Sequence, residues 1–287
     1  MELIKGYQAQ EDLRRSFNEL AGETFGLNFE DWYQNGYWRE HYIPYSITDH
    51  GNVVANVSVN PIEFEIDGTE KLLVQLGTVM TKKAYRNRGL IRRIMAEIEK
   101  DYGKKADGMY LFGNDSVLQF YPKFGYRPAK EYKCEKEIRT TTPRRVIQAP
   151  MKEKKAWDRL EQAMKESSSI SGFAMKNNPE LILFYVTKFM QDTVYKLENE
   201  PGYIIAEEEE GTLLLQDYYF PTPKQPEEII AAFGPDIRRA VLAYTPKDTT
   251  SWQVSEHKEE DCTLFIKGPW FENWNSHQRK FAALSHA

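Results

Sequence analysis

Apolar positions in this 287-residue chain change period several times, and each change predicts an element. Helix-like spacing covers residues 11–20, and again residues 28–38 within the aromatic run FEDWYQNGYWREHYIPYS. YSIT and VVANVSVN alternate like strands around DHGN, a sequence suited to a hairpin turn. After a second turn, IDGTE, the apolar run KLLVQLGTVM reads as a long buried strand. From Gly89 the period becomes helical: Leu90, Ile91, Ile94, Met95 and Ile98 share one face, and Gly103 marks the stop. GMYLFGN predicts a short buried strand, DSVLQFYPKFGY a short helix and turn, and EYKCEKEI a further strand.

TTTPRRVIQAP, residues 140–150, has linker composition and is the expected boundary between one domain at 1–140 and another at 151–287. Beyond it the pattern predicts helices at 151–166 and 179–190. Strand, hairpin, helix, strand and strand follow, in DTVYKLE, GYIIAEEEEGTLLLQDYYF, PEEIIAAFG, RRAVLAYTP and CTLFIKGPW. This repeats the order of the first half without repeating its sequence. The acids at 207–210 fit a solvated hairpin tip.

Composition narrows the function classes. With 41% hydrophobic and 28% charged residues the chain has material for packed cores. A net charge of -5 and a pI near 5.7 argue against general affinity for nucleic acid or anionic membrane. No run approaches a membrane span, and the first residues lack an apolar signal core, so a cytoplasmic protein is expected. Cys134, Cys262 and the five histidines form no ligand cluster, so no metal is expected.

Against that acidic balance, TKKAYRNRGLIRRIM stands out. Six basic residues fall in the twelve positions from Lys82 to Arg93, with no acid among them. They sit where a helix begins, beside the positive end of its macrodipole, where each cation costs about 0.3–1 kcal/mol. A bound anion reverses that sign. The first amides of a helix have no intrahelical partner, and Gly89 lets a ligand approach them closely. One glycine makes neither GxxxxGK[ST] nor GxGxxG. The residues point to a local polyanion site, a cradle for a pyrophosphate.

Arg86, Asn87, Arg88, Gly89, Leu90 and Ile91, between a strand and a helix, resemble the Q/R-x-x-G-x-G/A signature of the GNAT acyltransferase superfamily. Ile91 departs from it, standing where glycine or alanine is usual and narrowing the room beside the pyrophosphate. A second match follows, with Asn114, Tyr121, Lys123, Gly125 and Tyr126 at the positions of the second GNAT motif. The two motifs cover about 72–128, and a weaker resemblance runs over 1–140. A Gly-Leu-Leu variant and a degenerate second domain are similar to enhanced-intracellular-survival (Eis) type acetyltransferases.

The resemblance implies an α/β (α+β) GNAT fold: a mixed, mostly antiparallel sheet flanked by helices, followed by a second GNAT-like domain. It also implies acetyl-CoA as acyl donor. Arg86, Asn87, Arg88, Gly89, Leu90, Ile91 and Arg92 would hold the pyrophosphate, and Asn114 would also contact the cofactor. Val79, Met80 and Thr81 would pair with the pantetheine arm, and Tyr121 would protonate the leaving thiolate. Gly77, inside an apolar strand, fits either a bulge or close packing.

No general base is evident. The usual glutamate position holds Gln75, and Glu40, Glu63, Glu65 and Asp115 remain open as alternatives. Trp32, Tyr33, Tyr37, Trp38, Tyr42 and Tyr45 lie where such proteins build the acceptor pocket, though core packing explains any one of them equally well. The second half has acids where a cradle would be, at Glu227 and Glu228, and is expected to bind no cofactor. The expected activity is acetyl transfer to a primary amine of a small molecule or exposed peptide. A coenzyme A-binding sensor or scaffold without turnover is the alternative.

Overall fold

The structure is a computed structural model describing residues 1–168 and 171–287. Its first half runs β1 (Glu2–Lys5), α1 (Glu11–Phe25), α2 (Glu30–Gln34), β2 (Ile43–Asp49), β3 (Asn52–Ile66), β4 (Thr69–Thr81), α3 (Leu90–Tyr102), β5 (Gly108–Gly113), β6 (Arg127–Ala129) and β7 (Glu131–Glu137). The second half begins with β8 (Val146–Gln148), α4 (Lys154–Glu166), β9 (Phe173–Lys176) and α5 (Pro179–Lys188). It continues with β10 (Val194–Leu197), β11 (Tyr203–Glu209), β12 (Thr212–Tyr219), α6 (Pro226–Ala231), β13 (Arg239–Leu242), β14 (Gln253–His257) and β15 (Thr263–Lys267).

Most elements fall where the periodicity puts them. Two differ. The helix expected over 28–38 is the single turn-and-a-half of α2, because Gly36 adopts φ 80° and the Tyr37 and Trp38 amides fold back onto the Trp32 carbonyl. Around Tyr121 the chain forms two 3-10 turns instead of a helix, the second starting at Tyr121 with Pro122 next and Gly125 ending it at φ 84°. The turn at His50 and Gly51 has positive φ at both positions, as a two-residue hairpin requires.

The strands form two sheets. The first has the order β1-β2-β3-β4-β5-β15-β6, with β9 pairing the far end of β3; the second has the order β14-β7-β13-β12-β11-β10-β8. Every pairing is antiparallel except β4 with β5 and β12 with β13. Each half therefore contains a strand, a helix and a parallel partner strand: β4-α3-β5 and β12-α6-β13.

The sheets do not divide at the 140–150 linker. β7 joins the second sheet between β13 and β14, while β15 enters the first between β5 and β6. Each half thus lends a strand to the other. Alternation within a strand selects the face that is buried and leaves the neighbouring strand open, so the exchange has no local signature.

Separate cores pack α3 against the first sheet and α6 against the second. A third, shared core brings Phe17, Trp32 and Trp38 against Leu160, Leu183 and Ile205. Polar contacts cross the same junction. Arg39 forms a two-point ion pair with Glu161 at 2.7 and 3.2 Å, Tyr37 donates to Asp158, and the Trp32 indole donates to the Glu180 carbonyl. The halves are one packed body. Among the described residues, no helix is long and apolar enough to cross a membrane.

Candidate active site

The site begins where two parallel strands part. β4 and β5 pair only over Leu73–Leu76 and Gly108–Leu111. Beyond Leu76, β4 keeps only β3 as neighbour, and the end of β5 is held by β15. A bulge accompanies the parting: the β3 register steps from Asn56↔Met80 to Ser58↔Gly77, so Thr78 and Val79 stand opposite one residue. Thr78 takes φ 41° there. Asn56, fully buried, fixes the bulge by donating to the Thr78 carbonyl at 3.0 Å and to the Ser58 hydroxyl at 3.0 Å. On the side of β4 away from β3, residues Val79 to Thr81 have no strand beside them.

Gly77 serves both purposes open to it from sequence. It lies at the bulge, and a Cβ there would collide with the carbonyl oxygen of Ala287. The chain from Phe281 to Ala287 runs across the first sheet to this point. Gln75, almost wholly buried, lies 3.5 Å from the same oxygen and accepts from the Tyr110 hydroxyl at 3.3 Å.

The basic loop follows β4 directly. A 3-10 turn over Lys83–Tyr85 leads to Asn87 at φ 61° and Gly89 at φ 72°, and α3 starts without a side-chain cap. Nothing lies within 4 Å of where a Gly89 Cβ would stand, so the backbone is open to a ligand. Among the described residues, no carbonyl or side chain accepts from the amides of Asn87 to Arg92. The six cations form no ion pair either. Arg86 and Arg88 donate to main-chain carbonyls, of Thr81 and Ala84, and Arg93 to that of Met1, while Arg88 also lies over the Tyr85 ring at 4.9 Å. Leu90 is buried and Ile91 packs against the same core.

Tyr121 stands on the α3 face of the sheet, 4% exposed, with its ring 5.3 Å from Phe265 of the exchanged strand β15. Its ring edge lies 3.0 Å from the position of a Gly113 Cβ. Burial alone pushes its pKa up to about 12, and the hydroxyl makes no hydrogen bond among the described residues. Asn114 is exposed at the end of β5 and accepts from Ser116.

On the opposite face is a cavity of about 220 Å³. Its wall is mostly apolar and is drawn from both halves, with Phe29, Trp32 and Tyr42 facing Leu181, Phe184 and Tyr185. Thr78 of the bulge and the His286–Ala287 tail close the inner end. Of the six aromatics singled out from sequence, only Trp32 and Tyr42 line this cavity. Tyr37 turns to Asp158 and Trp157, Tyr45 donates to Asp101 on the α3 side, and Trp38 packs within the shared core.

The candidate bases lie elsewhere. Glu63 and Glu65 bind Asn177 and Lys176 on β9 and its following turn, while Glu40 and Asp115 are exposed and absent from the cavity wall. Sequence reading missed His286. Its ring stacks on Phe112 at 3.8 Å, and its Nε2 is shielded from solvent with no hydrogen-bond partner among the described residues. Burial, with Lys280 and His257 nearby, pushes its pKa far below the usual imidazole value. Adjacent strand positions face opposite ways, so Phe112 and Gly113 put His286 and Tyr121 on the two faces of one strand end.

In the second half, α6 occupies the place of α3. Its start is closed by a capping box between Gln225 and Glu228, and Glu227 pairs with Lys136 of β7.

Residues 7–129 match the profile of the acetyltransferase (GNAT) domain. That stretch of the chain is a GNAT acetyltransferase domain. Three solved structures share the fold. One is an Enterococcus faecalis protein described as "Conserved Protein of Unknown Function" and "Probable N-Acyltransferase", at 15% identity and TM-score 0.59 over 93% of this chain and 71% of that one. Another is a GCN5-related N-acetyltransferase of Kribbella flavida, at 15% identity and TM-score 0.55 over 93% and 72%. Eis1 of Mycobacterium abscessus matches at 12% identity and TM-score 0.55 over 92% and 73%. At these identities the likeness is one of fold. Among curated proteins, none matches the sequence.

Proposed function

We propose that this chain transfers an acetyl group from acetyl-CoA to a primary amine, using one cofactor site per chain. The observation that carries the reading is the start of α3: a glycine-opened loop with unpaired amides and six cations without ion-pair partners, beside the parting of β4 and β5. Unpaired charge of one sign at a helix end is unfavourable until an anion arrives.

In this reading the amides of Asn87 to Arg92 and the guanidinium groups of Arg86, Arg88 and Arg92 bind the pyrophosphate. The pantetheine arm pairs with the free edge of Val79, Met80 and Thr81, and Asn114 contacts it from the end of β5. The thioester then lies in the gap between the strands. Attack by a neutral amine gives a tetrahedral adduct, and its collapse expels a thiolate. Tyr121 supplies the proton to that sulfur. A phenol with its pKa raised by burial stays protonated throughout the neutral range, which suits an acid.

The test is incubation with acetyl-CoA, a panel of primary amines and a thiol reagent. Thiol release that depends on the added amine is expected. Tight acetyl-CoA binding with no release from any amine would replace the reading with a non-catalytic binding role.

A further inference from the structure

The cavity beside Thr78 has a composition that selects its occupant. Phe25, Leu27, Phe29, Leu181, Phe184 and Phe189 give it an apolar wall, and no Asp, Glu, Lys or Arg lines it. Phe25 and Phe189 are 46% and 56% exposed, so the apolar surface extends to the mouth. At the inner end the hydroxyls are already engaged: Tyr42 bonds Thr78 at 2.7 Å, and Tyr185 donates to the His286 carbonyl at 2.7 Å. His286 Nε2 is the one shielded polar side-chain atom of this wall, among the described residues, that has no partner.

We infer that this cavity takes a primary amine carrying an apolar aryl or alkyl body, whose nitrogen meets His286 beside the thioester. The inference rests on the acetyl-transfer reading above and names its acceptor class. A dry cavity of about 150 Å³ takes benzene, so about 220 Å³ holds a ring with a short arm. A polyamine would leave ammonium groups among aromatic and aliphatic side chains with no carboxylate to compensate them. A monoamine loses its single charge on entry, because an apolar surrounding favours the neutral form.

The step balances with water as the proton acceptor. The amine lone pair, aimed by an N–H donated to the neutral His286 Nε2, forms the new C–N bond at the thioester carbonyl. The nitrogen gives one proton to water, the C–S bond breaks, and the sulfur takes a proton from Tyr121. Solvent reprotonates the tyrosinate between turnovers.

The experiment compares 2-phenylethylamine and hexylamine with spermidine, by thiol release and by calorimetric binding to the full chain with coenzyme A present. Expected is a kcat/KM at least tenfold higher for the apolar amines, with binding of 2-phenylethylamine weakened by Phe189→Asp at the rim and by Leu181→Trp within. His286→Phe, which removes the acceptor, should lower kcat about tenfold, the size of one hydrogen bond, and His286→Gln, which keeps an acceptor, should restore most of it. Spermidine turning over or binding as well as the apolar amines would overturn the acceptor class. An unchanged kcat in His286→Phe, with chemistry limiting, would overturn the role of the imidazole. Should 2-phenylethylamine bind in a manner sensitive to Phe189→Asp while no amine releases thiol, the cavity's ligand class stands and the acetyl-transfer reading falls.

Discussion

The starts of α3 and α6 occupy equivalent places, each between two parallel strands of its own sheet. Their chemistry is opposite. At α3 the first amides have no partner among the described residues, the loop passes through two left-handed residues and carries six cations, and a carboxylate beside it, Asp49, accepts from the Tyr85 hydroxyl. At α6 the amides are capped by Gln225 and Glu228, and the first turn is acidic. A capping side chain contributes about 1 kcal/mol to its helix, whereas the uncapped end gives that up and gathers unpaired cations. One copy of the unit is capped for its own stability; the other, in the proposed reading, is left open for a ligand. The first half supplies the loop; the second completes the fold around it.

That division of labour can be broken most severely by cutting the chain. A version ending at Ile138 lacks β15, which separates β5 from β6 and carries Phe265 against Tyr121, and it leaves β7 without β13 and β14. We expect no cooperative thermal transition by circular dichroism and no acetyl-CoA binding. A cooperative melt with wild-type affinity would show that the lent strands are dispensable.

Tyr121→Phe keeps the ring and removes the proton. The account expects kcat to fall about 10²-fold, the low end for a general acid because a free thiol of pKa about 8.5 leaves readily as thiolate. KM and cofactor affinity should hold, as for an interaction made mainly in the transition state. With the phenol pushed up to about 12 by burial, the wild-type rate should show no alkaline limb from this group below about pH 10. Full kcat in the variant, with chemistry limiting, would make Tyr121 a packing residue.

Charge changes at the two helix starts sharpen the comparison directly. Charge-assisted hydrogen bonds contribute about 1.5–3 kcal/mol each, so Arg88→Ala should weaken acetyl-CoA binding by about one to two decades. Glu227→Ala at α6 should leave that affinity where it was.

The smallest effects concern acidity. His286 and His257 have pKa values lowered by burial, His257 to about 4. Below about pH 6.5 the unfolded chain therefore takes up protons that the folded chain refuses, and stability falls on acidification. Glu131 and Asp217 act oppositely, raised to about 7 and about 6 by burial. Their contribution is present below the unfolded carboxylate pKa and is lost as pH rises through those values. Thermal midpoints between pH 4 and 8 should show a weaker acid-side loss in His286→Asn and a weaker loss toward neutrality in Glu131→Gln. Curves parallel to wild type would contradict both assignments.

Much of this was legible in the chain itself. The hairpin at His50 and Gly51, the long β4, the basic loop and the apolar face of α3 are local patterns, and local period decides them. The acidic first turn of α6 was legible for the same reason. Three features were not. The strands EYKCEKE and TLFIK read correctly as strands, but nothing in an alternating pattern says which sheet receives them. The cavity wall comes from α5 and the tail as much as from the aromatic run, so Tyr37, Trp38 and Tyr45 had no local mark separating them from Trp32 and Tyr42. His286 reaches the parting of β4 and β5 only because the last residues cross the first sheet. Its one hint was Gly77, whose missing Cβ makes room for Ala287.

The central claim is that a single anion cradle, at α3, serves the whole chain. Calorimetric titration of acetyl-CoA into the full chain and into the Arg86→Ala, Arg88→Ala, Arg92→Ala triple variant tests it most directly. The account predicts one cofactor per wild-type chain and a loss of affinity exceeding a hundredfold in the variant, from charge-assisted contacts of about 1.5–3 kcal/mol each. Two cofactors per chain, or an unchanged affinity in the variant, would contradict it.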